Sequence, residues 1–127
     1  MTARKVLVAD NEIHIVQVVA IKFRNNGFEV FTSDNAGEAF ELACREKPDV
    51  IVTDLQMPGI SSLELIENLR KEPATADIPV VLLTARDFTI EDEQISDLKI
   101  SDCLAKPFSP RELLQRVNEV LRQRATA

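Results

Sequence analysis

Four short stretches of the sequence carry side chains able to do chemistry together: Asp10-Asn11-Glu12, Asp54-Leu55-Gln56, Thr84-Ala85-Arg86 and Lys106-Pro107-Phe108. The first two offer carboxylates beside an amide, a set of hard oxygen donors that suits a divalent cation, Mg²⁺ above all. The other two offer a hydroxyl and an ammonium group. Facing a cation, these suit a bound anion, and a phosphoryl group is the natural one. This chemistry requires the four stretches to converge on one point.

The elements around them are arranged to do that. Each stretch follows a short apolar run: Val6-Leu-Val-Ala9, Val50-Ile-Val-Thr53, Val80-Val-Leu-Leu-Thr84 and a short fifth strand over Asp102–Ala105, with Phe28-Glu-Val-Phe31 as a further strand. Three of the runs are apolar without alternation, the pattern of strands buried on both faces. Helical patterns lie between them. Ile15, Val18, Val19 and Phe23 share a face of a helix from about Ile13 to Asn26, which Gly27 stops. Ala39, Phe40 and Ala43 mark a second helix ending before Pro48, and Leu63, Leu65, Ile66 and Leu69 a third, opened by the capping box Ser61-x-x-Glu64. The fourth, roughly Thr89 to Leu98, has a thin apolar face of Ile95, Leu98 and Ile90. In the last, Ser109 caps, Pro110 takes the first position, Glu112 completes the box, and Leu113, Leu114, Val117, Val120 and Leu121 form the stripe. Strand and helix alternate five times, which predicts a parallel sheet between helix layers, with loops at the carboxyl ends of the strands forming the ligand crevice.

Composition narrows the choices. The chain has 127 residues, enough for one domain, with 45% hydrophobic and 28% charged residues, so disorder is not expected. A net charge of −6 and the lack of a basic block argue against nucleic-acid binding. A single histidine, His14, read as an exposed helix residue, leaves Ser-His chemistry nothing to work with, and Cys44 and Cys103 have no zinc-site spacing. No run is long enough to span a membrane, and the reading is a cytoplasmic protein with reduced thiols.

At these residues the sequence resembles the receiver domain of two-component response regulators. The matching pieces are Lys5-Val-Leu-Val-Ala-Asp-Asn-Glu12, Pro48-Asp-Val-Ile-Val-Thr-Asp-Leu-Gln-Met-Pro-Gly59, Pro79-Val-Val-Leu-Leu-Thr-Ala85 and Cys103-Leu-Ala-Lys-Pro-Phe108, in order along essentially the whole chain. The resemblance implies an α/β fold: a doubly wound, flavodoxin-like (βα)5 domain with a five-stranded parallel sheet in the order 2-1-3-4-5, here residues 1–127. It implies that Asp54 accepts a phosphoryl group from a histidine kinase or histidine phosphotransfer protein, and that Asp10, Asn11, Asp54 and the Gln56 carbonyl hold Mg²⁺. Lys106 would pair with one phosphoryl oxygen and Thr84 with another, drawing its loop inward, and the Lys106–Pro107 bond would be cis. Such a protein is a signalling phosphoacceptor rather than an enzyme, and its conformational change controls an output protein or domain. Those 127 residues are expected to be a receiver that either stands alone or belongs to a longer protein.

Several residues depart from the family pattern. Asn11 replaces a carboxylate, so one charge is lost and weaker Mg²⁺ binding is expected. Cys103 stands where receivers usually carry Tyr or Phe, and the chain has no Tyr or Trp at all. Coupling is then expected to run through the Thr84 loop and the thin fourth helix, or to be weak, with Cys103 a small buried hydrophobe. Lys99 falls near a usual Gly, and Ser61-Ser62 replaces a usual Asp-Gly with no chemical consequence expected. Gln56 and Arg86 should flank the water that hydrolyses the acyl phosphate, with Arg86 hindering it. Ile13, Val16 and Ala20 form a second apolar stripe on the first helix, which is either a generously buried helix edge or a docking surface for the phosphodonor. The alternative reading is a degenerate receiver that binds partners without being phosphorylated. Gln56 excludes a haloacid-type aspartyl phosphatase, which needs an Asp there. A flavodoxin-like electron carrier would need a hydroxyl-rich phosphate loop and Trp or Tyr against the flavin.

Overall fold

Strands whose neighbouring side chains are all apolar need cover on both faces, and this chain supplies it. The structure, a computed structural model, describes residues 3–55, 61–85 and 91–126, without the side chains of 124–126. The strands are β1 (Arg4–Ala9), β2 (Phe28–Ser33), β3 (Val50–Asp54), β4 (Val80–Thr84) and β5 (Ile100–Ala105). The helices are α1 (Ile13–Arg24), α2 (Ala36–Glu46), α3 (Ser62–Lys71), α4 (Asp92–Asp97) and α5 (Pro110–Thr126). All strand pairs are parallel, in the order β2-β1-β3-β4-β5. The fold is the flavodoxin-like one expected from the sequence.

Two cores result from the pleat. Val6, Val8, Val50, Val52, Val81 and Leu83 point to one side, where Val19 and Phe23 of α1 and Leu113, Val117 and Leu121 of α5 cover them. Leu7, Ile51, Val80 and Leu82 point to the other, against Ala39 and Ala43 of α2 and Leu65, Ile66 and Leu69 of α3. Ile100 and Cys103 lie on this second side although they are an odd three positions apart, because the β4–β5 register shifts at Val80/Val81. Ser61 caps α3 by accepting from the Glu64 amide at 3.2 Å, and Ser109 caps α5 by accepting from the Glu112 amide at 3.0 Å.

Three expectations need correction. Val18 is 51% exposed and does not belong to the core stripe of α1, since it lies about 100° round the helix from the buried Val19. Ala20 is buried, so the second stripe breaks up: Ile13 is 64% exposed, Val16 half-buried, and Ile21 joins Val18 and Ile13 outside. Helix α4 spans Asp92–Asp97, with no fully buried residue and only Ile95 and Leu98 half-buried against the core; Thr89 and Ile90 lie outside the described residues.

The corner after α4 has an unforeseen support. Lys99 takes a left-handed backbone (φ 54°) without being glycine, a conformation costing about 1–2 kcal/mol for an L-residue. The Arg70 guanidinium, at the end of α3, holds this corner by donating to the carbonyls of Leu98 (2.8 Å) and Lys99 (3.2 Å) and, on its other side, to those of Ala76 (3.1 Å) and Ile78 (2.7 Å). Lys47 after α2 is also left-handed, with φ 47°. Among the described residues no helix is long and apolar enough to cross a membrane.

Candidate functional site

The register of the sheet places the chemistry. Ala9 pairs with Thr53 across β1 and β3, so Asp10 and Asp54, each one residue further on, leave the sheet side by side. Thr84 pairs with Ala105 across β4 and β5, which puts Lys106 one step beyond Thr84. Main-chain bonds fix these ends: the Asp10 amide donates to the Ser33 carbonyl (3.0 Å), the Leu55 amide to the Leu83 carbonyl (2.8 Å), and the Lys106 amide to the Thr84 carbonyl (2.8 Å). Asp10, Asp54 and Thr84 are buried polar residues at the rim of an otherwise apolar sheet. Their cost in desolvation is what a structure tolerates where polar groups have partners.

Lys106 is the partner of the carboxylates. Its Nζ lies 3.0 Å from Asp10 Oδ2, 3.3 Å from Asp54 Oδ2 and 2.7 Å from Glu12 Oε1. Burial by itself would lower the pKa of this ammonium. Hydrogen bonds to Glu12 and Asp10 and the charges of Asp10 and Asp54 outweigh burial and hold the group above its ordinary value. The lysine is therefore a fixed positive charge against Asp54, positioned to meet an anion carried there. The Lys106–Pro107 peptide bond is cis, as expected.

Of the remaining expected site residues, Asn11 is exposed and lines a groove of about 480 Å³ with Asp10, Ile13, Val16, Asp34 and Glu38. A second, more apolar groove of about 590 Å³ adjoins Lys106 between α1 and the start of α5, lined by Ile15, Val18, Val19, Pro107 and Phe108. Gln56 and Arg86 lie outside the described residues. Cys103 is half-buried against the second core rather than fully buried. Burial, and then the charge of Asp102, push its thiol up, which disfavours the reactive thiolate.

Two residues had no role assigned from the sequence. Glu12 contacts Lys106 more closely than either buried aspartate does, and its carboxylate, those of Asp10 and Asp54, each place an oxygen within 4.8 Å of the others. The sequence signal was only a third polar residue after β1. Ser62 is fully buried, and its hydroxyl donates to the Asp54 carbonyl, which also accepts from the Thr53 hydroxyl at 3.2 Å. The serine at the first position of α3 thus has a structural use: it anchors the backbone of Asp54 from below the site.

The donor set fits a hard divalent cation. Its described members are carboxylate oxygens, and among the described residues buried Asp10 Oδ2 is met only by the Lys106 ammonium, at 3.0 Å.

Comparison with known proteins agrees with this geometry. Residues 6–118 match the family model described as the response regulator receiver domain. The phosphate regulon transcriptional regulatory protein PhoB of Pseudomonas aeruginosa is 36% identical over 125 residues, covering 97% of this chain and 54% of that protein, so the chain spans about half the length of that relative. Among solved structures, the chemotaxis response regulator CheY4 of Vibrio cholerae is similar with a TM-score of 0.86 and 29% identity, covering 94% of this chain and 99% of that one. The receiver domain of the Francisella response regulator 1452 is similar with a TM-score of 0.83 and 36% identity, covering 94% and 98%. The chain therefore belongs to the response regulator receiver domain family.

Proposed function

We propose that residues 1–127 form one receiver domain of a two-component phosphorelay, and that Asp54 is its phosphoacceptor. The observation that carries this reading is the Lys106 ammonium 3.3 Å from the buried carboxylate of Asp54. In the transfer step a carboxylate oxygen of Asp54 attacks the phosphorus of a phosphohistidine. An O–P bond forms as the N–P bond breaks, and the imidazole leaves and takes up a proton from solvent. Lys106 stabilises charge on the phosphoryl oxygens, and Thr84 donates its hydroxyl to one of them. Asp10, Asp54, Asn11 and the Gln56 carbonyl are the residues we assign to Mg²⁺, which when bound neutralises the carboxylates and the incoming phosphoryl charge. Arg86 hinders the hydrolytic water and Gln56 flanks it.

The proposed partner is a histidine kinase or histidine phosphotransfer protein, docking on α1 beside the crevice. The exposed Ile13 and the half-buried Val16, which line the groove next to Asp10, support that placement. Free thiols at Cys44 and Cys103 suit a cytoplasmic location. Downstream lies an output protein or domain, as the regulatory name of the Pseudomonas relative suggests. A second reading, a degenerate receiver that binds partners without phosphorylation, is favoured by Asn11 and by Cys103 in place of an aromatic switch. Incubation with Mg²⁺ and a small-molecule phosphodonor separates the two. The first reading requires a base-labile phosphoryl adduct that chelation prevents; a chain that stays unmodified at millimolar donor favours the second.

A further inference from the structure

Asn11 removes one negative charge from the acidic pair, and the neighbouring backbone position returns one to the same space. Glu12 is the cap of α1: its carbonyl accepts from the Val16 amide at 3.1 Å, and its own amide donates to Asp10 Oδ1 at 2.9 Å. This closed turn aims the Glu12 carboxylate back over the crevice, where it meets Lys106 and comes within 4.8 Å of oxygens of Asp10 and Asp54. Oxygens around a Mg²⁺ ion at about 2.1 Å lie roughly 3 to 4 Å apart. The Glu12 side chain is 57% exposed, so the small rotation still needed meets little packing resistance.

Charge points the same way. Asp10, Glu12 and Asp54 together with Lys106 leave a formal charge of −2, which one divalent cation cancels. The donor set points there too: among the described residues buried Asp10 Oδ2 is met only by the Lys106 ammonium, at 3.0 Å, which leaves this carboxylate oxygen able to take a cation as well. We infer that Glu12 supplies the carboxylate that Asn11 does not, and so sets the divalent-cation affinity of this chain. The inference rests on the phosphoacceptor reading of the same site. It replaces the expectation of a weakened cation site with one in which the charge has moved along the chain by one residue. It also gives Glu12 two partners, Lys106 and the cation, so that cation binding draws the exposed carboxylate off the ammonium.

The test is Mg²⁺ binding by isothermal titration calorimetry, repeated with Mn²⁺ by water-proton relaxation. It uses the whole chain, Glu12→Gln, Asn11→Asp and the Asn11→Asp/Glu12→Gln double variant. Glu12→Gln should weaken binding about tenfold, and adding Asn11→Asp to it should restore the affinity to within about threefold of the parent. An affinity unchanged by Glu12→Gln overturns the inference, and so does a double variant as weak as Glu12→Gln alone. The phosphodonor reaction on the parent chain keeps the two levels apart. An Asp54 adduct with a Glu12-independent cation affinity sinks only this inference. Absence of any adduct, with the affinities as expected, sinks the phosphoacceptor reading instead.

Discussion

Replacing Lys106 by Met keeps most of the length of the side chain and removes the one cation that the described structure places among Asp10, Glu12 and Asp54. At 3.0 and 3.3 Å, and an effective dielectric of about 20, the ammonium attracts each buried aspartate by roughly 5 kcal/mol. Desolvation of the ammonium returns much of this, and the exposed Glu12 adds no more than about 1 kcal/mol. Breaking a buried pair by removing one partner leaves a net loss of roughly 3 kcal/mol. Lys106→Met should therefore unfold at a lower urea midpoint by that amount at pH 7 without added metal. Far-UV circular dichroism is the signal to follow, because the chain has no Trp or Tyr. Mg²⁺ should stabilise the variant more than the parent, since the cation takes over the neutralisation that the lysine performed. The pH arm follows from the raised pKa of Lys106. The stability that its charge confers is present below about 10.5, the ordinary lysine value, and fades as pH rises through the higher folded value, so on the alkaline side the gap between parent and variant should close in that range. A loss below about 0.5 kcal/mol, or an equal Mg²⁺ effect on both proteins, would refute the reasoning.

Ser62→Ala takes a donor from the buried Asp54 carbonyl and should cost about 1 kcal/mol in the same urea assay, with the Thr53 hydroxyl limiting the loss. Arg70→Ala strips the carbonyls of Leu98, Lys99, Ala76 and Ile78 of their common donor and should cost about 2 kcal/mol. Hydrogen exchange should then speed up selectively at the amides of the α4–β5 corner, and unchanged protection there would contradict the assignment. Val16→Glu should leave modification by a small phosphodonor intact while lowering the rate of transfer from a phosphorylated histidine donor by tenfold or more; equal loss of both would argue against docking on α1.

The sheet and α5 were legible because their signals are local and redundant. Val50-Ile-Val admits no solvated face, and Ser109, Pro110 and Glu112 mark a helix start three times over. Asp10, Asp54, Thr84 and Lys106 were legible for the same reason, as polar residues ending apolar strands. What escaped depends on contacts distant in sequence. Ser62 matters through a carbonyl eight residues earlier, Glu12 through an ammonium 94 residues later, and Arg70 through carbonyls up to 29 residues away. Periodicity misplaced Val18 because a helix face drawn from four apolar residues was wider than the sheet and α5 could cover. The strain at Lys99 was suggested by a missing glycine, but the arginine that holds it was not.

In the proposed reaction the carboxylate of Asp54 becomes an acyl phosphate. Chemical trapping tests it most directly. After reaction with a small phosphodonor and Mg²⁺, tritiated borohydride reduces an aspartyl phosphate to homoserine and leaves label at that residue. Tritiated homoserine is expected at position 54 alone, and none in Asp54→Asn. Label at another residue, or equal label in Asp54→Asn, would contradict it.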